Sequence, residues 1–519
     1  MNKIFSARML ALLLLLALCL PVLASCGGGE EESRGLVSSV APPDSAIAQW
    51  AAEEQLDFGG ESIVISLSRF TSTQITDIST QFIEGPDKIT SDSVQNKVLE
   101  RNEIVSSTVG INPRYVHTNI GYSEIKADIE RKVMTPGKDT PDLYIDQVHG
   151  MIRAQYAGYL HNAIRTSEGD KSYIDTKSEG WYDEYMSAFN FGSSERLYLL
   201  AGDYFMDVLR FMNLMSCNLS MFDEIFTKQG GAKLLYNAVR QGTWTYDLLT
   251  EWCEIAFKDD GKQKGKADDG DRLGLIAMHN GPPVWGFLPS MGIAAYEIKE
   301  DGSYGVFAGT DKRSLDAVQT MKDLLYQSTG VYFDTGSDNS LMRSTFVQGR
   351  ALFMVGTLLC QLESEEFRSM QSDKCVLPYP KLYDTDTRYY VTSHDNARVG
   401  AILVSSTKRS AVTAWLQGMA LTSEAVREEY YEGALKFKYG ADASTAHMLD
   451  SIYDSICAPY WIHCDAIPTV VGLTLDNAPT NAQRLTGSAN NTYSSDYASC
   501  RNALAEAIRL YMIGFNQLK

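Results

Sequence analysis

The sequence predicts an α/β protein built on parallel sheets. Three observations carry that expectation. Short β-type runs alternate with amphipathic stretches from residue 61 to residue 145. The same alternation resumes after residue 196 with a larger share of helix. No short-period repeat interrupts it, which removes solenoids and propellers.

In order, Glu61–Leu67 (ESIVISL) is the first strand, rich in β-branched residues. Residues 94–109 place Val94, Val98, Ile104 and Val105 at helical spacing. Arg114–Val116 is a second strand, Ile125–Met134 an amphipathic helix, and Pro141–Ile145 a third strand opened by a turn. In the middle, Arg196–Leu200 reads as a strand ending at Ala201-Gly202-Asp203, and residues 205–228 as helix. Leu248–Phe257 is helix, with Asp247 as its N-cap after the turn Gly242-Thr243-Trp244. Asp259–Asp271 is a polar loop and Leu273–Leu275 a short strand. Lys312–Tyr326 follows as helix, then the fully apolar strand Ala351–Val355. Val376–Pro380 is a strand stopped by proline, and Gly400–Val404 another strand. Residues 410–438 and 497–515 close the chain as helices.

The chain has 519 residues, 46 Lys+Arg against 65 Asp+Glu, and a net charge of -19. With 44% apolar and 21% charged residues it has globular proportions and ample length for a large core. Such an acidic balance excludes nucleic acid as the main partner, because phosphate binding rests on Lys and Arg. It equally excludes adsorption to anionic lipid through basic patches.

Lys3 and Arg8 precede an apolar run, Met9–Leu20, that ends at Pro21. The run is too short to span a bilayer and reads as a signal-peptide core. Leu23-Ala24-Ser25-Cys26 follows, and resembles the bacterial lipoprotein signal. That resemblance implies a signal peptide over 1–25 and lipidation of Cys26, with 26–58 as a flexible tether. The implied location is the extracellular face of the cytoplasmic membrane. The alternative is an ordinary signal with a chance cysteine.

Seven cysteines remain beyond Cys26, an odd number, and no C-x-x-C occurs. Cys360 with Cys375, or Cys457 with Cys464, is a possible bridge; buried free thiols are the alternative. Catalytic signatures are absent: no G-x-S-x-G, no H-E-x-x-H and no P-loop. The seven histidines show no metal spacing. The acidic loop 259–271 does not match a calcium-binding loop and reads as solvated. No cofactor and no metal are expected.

Five phrases stand in order along the chain: Thr140–Ile145 with Gly158-Tyr159-Leu160; Gly242–Asp247 (GTWTYD); the acidic loop leading to Leu273-Gly274-Leu275; Phe346–Phe353 (FVQGRALF); and Val376–Lys381 (VLPYPK). In that order they resemble the carbohydrate-binding extracellular solute-binding proteins (family 1) of ABC transporters. Together they span roughly residues 60–450. The resemblance implies two Rossmann-like lobes joined by hinge strands, the type II periplasmic-binding-protein fold. By analogy the N-lobe is 60–200 plus 376–445 and the C-lobe 203–375 plus 446–519. The implied hinge strands are Arg196–Ala201 and Val376–Pro380. The implied role is a monomeric, non-enzymatic receptor that passes an oligosaccharide, or another small solute, to the permease subunits. The alternative is a surface polysaccharide hydrolase or lyase.

A sugar site needs aromatic plates for C–H faces and polar side chains for hydroxyls. Asp146 and Gln147 follow the strand ending at Ile145, where clefts open in parallel sheets. Arg69 and Phe70 follow the first strand in the same way. Tyr460 and Trp461, after Pro459, form an aromatic pair near the C-terminus. By resemblance, Asp203 with Tyr204 stands where the family has an acidic sugar contact, and Trp285 where it has an aromatic. Gly356 and Thr357 follow the strand 351–355, where the family has a Trp two or three residues on; here the sequence reads Thr357-Leu358-Leu359. Trp181 and Trp244 are expected to pack the fold.

Overall fold

The computed structural model describes residues 41–518 apart from 43–44, 69–78, 263–266, 269, 280–285, 299–303, 307–310, 335–339, 433–442 and 474–486. The leader and Cys26 therefore lie outside the described residues. Among the described residues, no helix is long and apolar enough to cross a membrane.

The first sheet has the order β11-β3-β1-β2. It is built from β1 (Glu61–Ser68), β2 (Ile111–Thr118), β3 (Leu143–Gln147) and β11 (Arg398–Ile402). β2 and β3 run parallel to β1, and β11 runs antiparallel to β3. The second sheet has the order β10-β4-β9-β5-β8. Its strands are β4 (Asn213–Asn218), β5 (Leu273–Met278), β8 (Val331–Asp334), β9 (Ala351–Leu358) and β10 (Lys374–Leu377). β8 and β9 run parallel to β5, while β4 runs antiparallel to β9 and β10 to β4. A hairpin of β6 (Tyr296–Ile298) and β7 (Tyr304–Val306) stands apart. Each sheet thus has a parallel core of three strands and one strand antiparallel to it, β4 or β11, by which the chain enters it from the other sheet; β10 completes the second sheet at its edge.

Two crossing segments join the sheets and lie side by side. Leu200 pairs with Gly400 and Met212 with Ser393, both antiparallel. The Leu200 N–H donates to Gly400 O at 2.8 Å, and the Gly400 N–H returns the bond at 2.9 Å. Asn213 N donates to Thr392 O at 2.9 Å. The Tyr204 hydroxyl clamps the pair, donating to Leu200 O at 2.7 Å and accepting from Gly400 N at 3.0 Å. A Cβ on Gly400 would stand 2.6 Å from that hydroxyl, so the approach requires glycine. The return crossing therefore runs through residues 391–400. Val376 and Leu377 instead belong to β10, in the second sheet.

Three other stretches differ from the sequence reading. Residues 213–218 lie inside the predicted helix 205–228 but form β4, an interior strand between β9 and β10. Arg196–Leu199 is irregular, with only Leu200 bridged to Gly400. The stretch read as tether contains an ordered helix, Ala46–Glu54, capped by Ser45. Its Ile47 and Ala51 are buried, and it packs against the helices Ser93–Val109 and Arg409–Thr422. Spacing of i, i+4 gives nine residues an apolar stripe that docking satisfies.

Trp181 and Trp244 pack the fold. Trp181 Nε1 donates to Gln417 at 2.9 Å. Trp244 Nε1 donates to Pro378 O at 3.0 Å, and its ring stacks on Trp252 at 5.5 Å. The C-terminal helices Tyr460–Val470 and Tyr493–Asn516 pack against each other and against Val148–Tyr156, the helix that follows β3. The last helix also meets Lys312–Tyr326, beside the second sheet.

Candidate functional site

The carboxyl end of β3 is where the first sheet, its following helix and the return crossing converge. β3 runs directly into the helix Val148–Tyr156, and the Val148 N–H is held by Ala397 O at 3.0 Å. Asp146 faces Val399 of β11 in register. It is 2% exposed. Its Oδ1 accepts from the Gln147 N–H at 2.8 Å, and its Oδ2 has no hydrogen-bond partner among the described residues. Burial pushes its carboxyl up to about 6, against the pull of the Gln147 N–H, Ser68 and Arg398.

His149, three residues on, sets its ring edge against Tyr122 at 6.0 Å. Its Nε2 lies 3.7 Å from Asp465 on the C-terminal helices, and its buried Nδ1 has no partner among the described residues. The return crossing adds His394 and Asp395, in contact at 2.7 Å. Burial would raise the Asp395 carboxyl, but the His394 and His149 rings hold it below the usual range. Beside them Asp207, on the first crossing, accepts from the Arg398 N–H at 3.0 Å. Two carboxyl groups, Asp146 and Asp395, are thus displaced in opposite directions at one end of one sheet. His149, His394 and Asp395 were missed by sequence reasoning. His149 was within reach, since it opens the helix after a strand already singled out; the other two arrive from 250 residues away.

A second group ties the sheets together. Arg210, on the first crossing, grips Glu363 in the turn after β9, with Nε and Nη2 at 3.2 and 3.0 Å. Its guanidinium lies 4.4 Å from the centre of the Phe82 ring. The Tyr430 hydroxyl, just past the helix Glu424–Glu429, donates to the same Glu363 at 2.6 Å. Phe82 and Tyr430 come from the first sheet's side and Glu363 from the second.

An aromatic notch of about 90 Å3 is lined by Glu184, Pro289, Ile293, Tyr390, Tyr460 and Trp461, among others. Trp461 Nε1 donates to Ile293 O at 2.7 Å, and Tyr460 meets Tyr296 edge-on at 4.9 Å. Arg388 pairs with Glu184 at 2.8 Å and lies 5.1 Å over the Tyr390 ring. A larger cavity of about 540 Å3, lined by His161, Asp170 and Arg409, lies elsewhere. It opens near Leu160, which pairs with Leu403 at the opposite end of β11 from Asp146.

The remaining sequence candidates sit as follows. Asp203 is fully buried, and its oxygens accept from Tyr182, from Arg427 and from Tyr453, the last at 2.9 Å. Tyr204 is the clamp on the crossings. Gly356 sits at a bulge in β9, with φ of +71° and its N–H on the Tyr379 hydroxyl at 2.9 Å. Thr357 is fully buried, with its hydroxyl 2.7 Å from that of Ser216. Arg69, Phe70 and Trp285 lie outside the described residues. In the acidic loop, Asp259, Asp260 and Asp271 bring carboxylate oxygens within 4.8 Å of one another. The loop supplies their partners: Asp271 accepts from the Asp260 and Asp268 N–H groups, and Lys262 pairs with Asp260 at 2.6 Å.

No family model matches the chain, and no curated protein matches it in sequence. Solved structures do. One is a cyclo/maltodextrin-binding protein complexed with maltotetraose, 12% identical, with a TM-score of 0.51 over 89% of this chain and 98% of that one. Another is the galacto-N-biose/lacto-N-biose I-binding protein of an ABC transporter from Bifidobacterium longum, in complex with lacto-N-biose. It too is 12% identical, with a TM-score of 0.51 over 88% of this chain and 98% of that one. At that identity the likeness is one of fold. The chain has the type II periplasmic-binding-protein fold, two α/β sheets joined by paired crossing strands.

Proposed function

We propose that this protein is the solute-binding component of an ABC importer, and that its solute is an oligosaccharide captured between the two sheets. One observation carries the reading. A fold of two sheets joined by paired crossings leaves a buried carboxylate oxygen, Asp146 Oδ2, without a hydrogen-bond partner among the described residues at the carboxyl end of β3. A sugar hydroxyl is a donor suited to that oxygen, and a buried acceptor left empty is costly. Gln147 and Arg69 complete the polar side, and Phe70, next to Arg69 in sequence, offers an apolar face. Trp285 and the notch of Tyr460 and Trp461 supply surfaces for apolar sugar faces. Asp203, Tyr204, Gly356 and Thr357 serve by holding the crossings and β9 in place. Closure of the sheets around the solute, then docking on the permease, is the cycle such a hinge permits. Cys26 carries the lipid that keeps the receptor at the outer face of the membrane, and the receptor works as a monomer without cofactor.

A second reading is a polysaccharide hydrolase or lyase. The opposed displacement of the Asp146 and Asp395 carboxyls favours it, since acid and base catalysts are separated in that way.

Thermal unfolding against a panel of oligosaccharides, peptides and polyols separates these. A ligand at 100 times its Kd adds about 2.7 kcal/mol of stability. The receptor reading expects a rise with one sugar class and recovery of that sugar intact. Recovery of cleaved sugar sinks it in favour of the enzyme, and a rise with a peptide or polyol alone removes the sugar.

A further inference from the structure

Among the described residues the cysteines are seven, all buried and none in a disulfide. Two of them face each other. In the antiparallel pairing of β10 with β4, Cys375 stands directly opposite Cys217, flanked by Lys374 opposite Asn218 and Val376 opposite Ser216. Opposed residues of an antiparallel pair point to the same face, with Cα atoms about 4.5–5.5 Å apart. A disulfide spans Cα separations of about 4.4–6.8 Å, so this pair needs little backbone movement to be bridged. The pairs open on the sequence, Cys360 with Cys375 and Cys457 with Cys464, have no such opposition: Cys375 is already matched to Cys217.

We propose that Cys217 and Cys375 are a covalent cross-link site, closing to a disulfide that staples the edge strand β10 to β4. Two S–H bonds break and one S–S bond forms. The two electrons and two protons pass to a disulfide oxidant of the glutathione class, which is released as two thiols. One thiolate first opens the oxidant to a mixed disulfide, and the second then displaces the leaving thiol. The proposal depends on the export assumed above only for where the oxidant is met; the opposition of the two residues is independent of any ligand.

The position of the pair also sets when the bond forms. β4 lies inside the sheet between β9 and β10, and Cys217 is fully buried while Cys375 is 3% exposed. Burial first, then contact with the Cys375 thiol, keeps the Cys217 thiol protonated. A protonated, enclosed thiol reacts slowly. The disulfide therefore forms while β10 is docking and not after the sheet has closed, so oxidant added to the folded protein acts slowly.

The test is peptide mapping of the full chain. Unfolded, reduced protein is refolded with oxidised glutathione, its free thiols are alkylated, and the digest is read by mass spectrometry without reduction. The expected result is one linked peptide pair, Cys217 with Cys375, lighter by two hydrogen atoms than the separate peptides. The oxidised protein also melts at higher temperature than the reduced one, a difference absent from Cys375→Ala. Two results overturn the proposal. One is Cys217 and Cys375 both alkylated after oxidative refolding. The other is Cys217 linked elsewhere, above all to Cys253, the further thiol that acts on it electrostatically. The mapping is made on the unaltered chain, so it stands even if the variant fails to fold.

Discussion

Burial raises the Asp146 carboxyl from the ordinary 3.8 to about 6, so the folded protein holds this proton more tightly than the unfolded chain. Stability from this group is complete below pH 3.8 and is lost as pH rises through about 6. A shift of two units corresponds to roughly 3 kcal/mol. Asp146→Asn removes that loss. Urea unfolding should find the variant more stable than the wild type at pH 7, by up to about 3 kcal/mol, and level with it at pH 3.5. The same change should weaken sugar binding roughly 10- to 100-fold, the worth of one hydrogen bond to a charged acceptor. Gain of stability with loss of affinity would mark a binding residue; loss of both would mark a packing one. His463 shows the opposite sign. It is fully buried among Phe189, Phe191 and Tyr511, its Nδ1 meets the Tyr296 hydroxyl, and burial pushes it down to about 3. Its contribution is present above pH 6.5 and lost as pH falls toward 3. The melting temperature should therefore drop between pH 6.5 and 4, less steeply in His463→Gln. Asp146 was legible in the sequence because a strand end in a parallel sheet is a positional rule. Its neighbours His394 and Asp395 were not, because only the return crossing brings them there.

At the scale of elements, the first crossing is anchored by Asp203, which gathers Tyr182, Arg427 and Tyr453 around one buried carboxylate. Removing the carboxylate leaves the Arg427 guanidinium, whose side chain is only 11% exposed, with the far more exposed Glu179 at 3.4 Å as its charged partner. Asp203→Ala should lose about 3–5 kcal/mol in chemical denaturation. Tyr430→Phe is milder. It cuts one of the ties to Glu363 between the two sheets and should cost about 1 kcal/mol, with a faster dissociation of bound sugar. The strands β1, β3, β9 and β11 were legible because their Val, Ile, Leu and Phe runs have no helical stripe. β4 was not. Its sequence, NLMSCN, holds no β-branched residue, and it follows Leu209 and Met212, three apart as on a helix face. The sheet overrides that local preference by burying all six residues between β9 and β10. The helix Ala46–Glu54 was hidden for the converse reason: Gly, Ser and Pro upstream gave its whole neighbourhood the look of a linker.

Over the whole molecule, two sheets of mixed direction are joined by crossings that bond to each other at both ends, near Leu200 and near Met212. That arrangement allows the sheets to move about the paired strands while the chain stays continuous. The C-terminal helices touch the helix after β3 on one side and Lys312–Tyr326 on the other, so they bear on how far such movement goes. The two-sheet plan was readable from the order of β-type and helical stretches, whereas the crossings, made by long-range pairs, were not. Sugar binding between the sheets is tested most directly by the structure of the protein with the sugar that most raises its melting temperature. The expected result is an intact sugar with a hydroxyl on Asp146 Oδ2 and a ring face on an aromatic side chain. A sugar bound away from the carboxyl end of β3, with Asp146 Oδ2 still unpartnered, would contradict it.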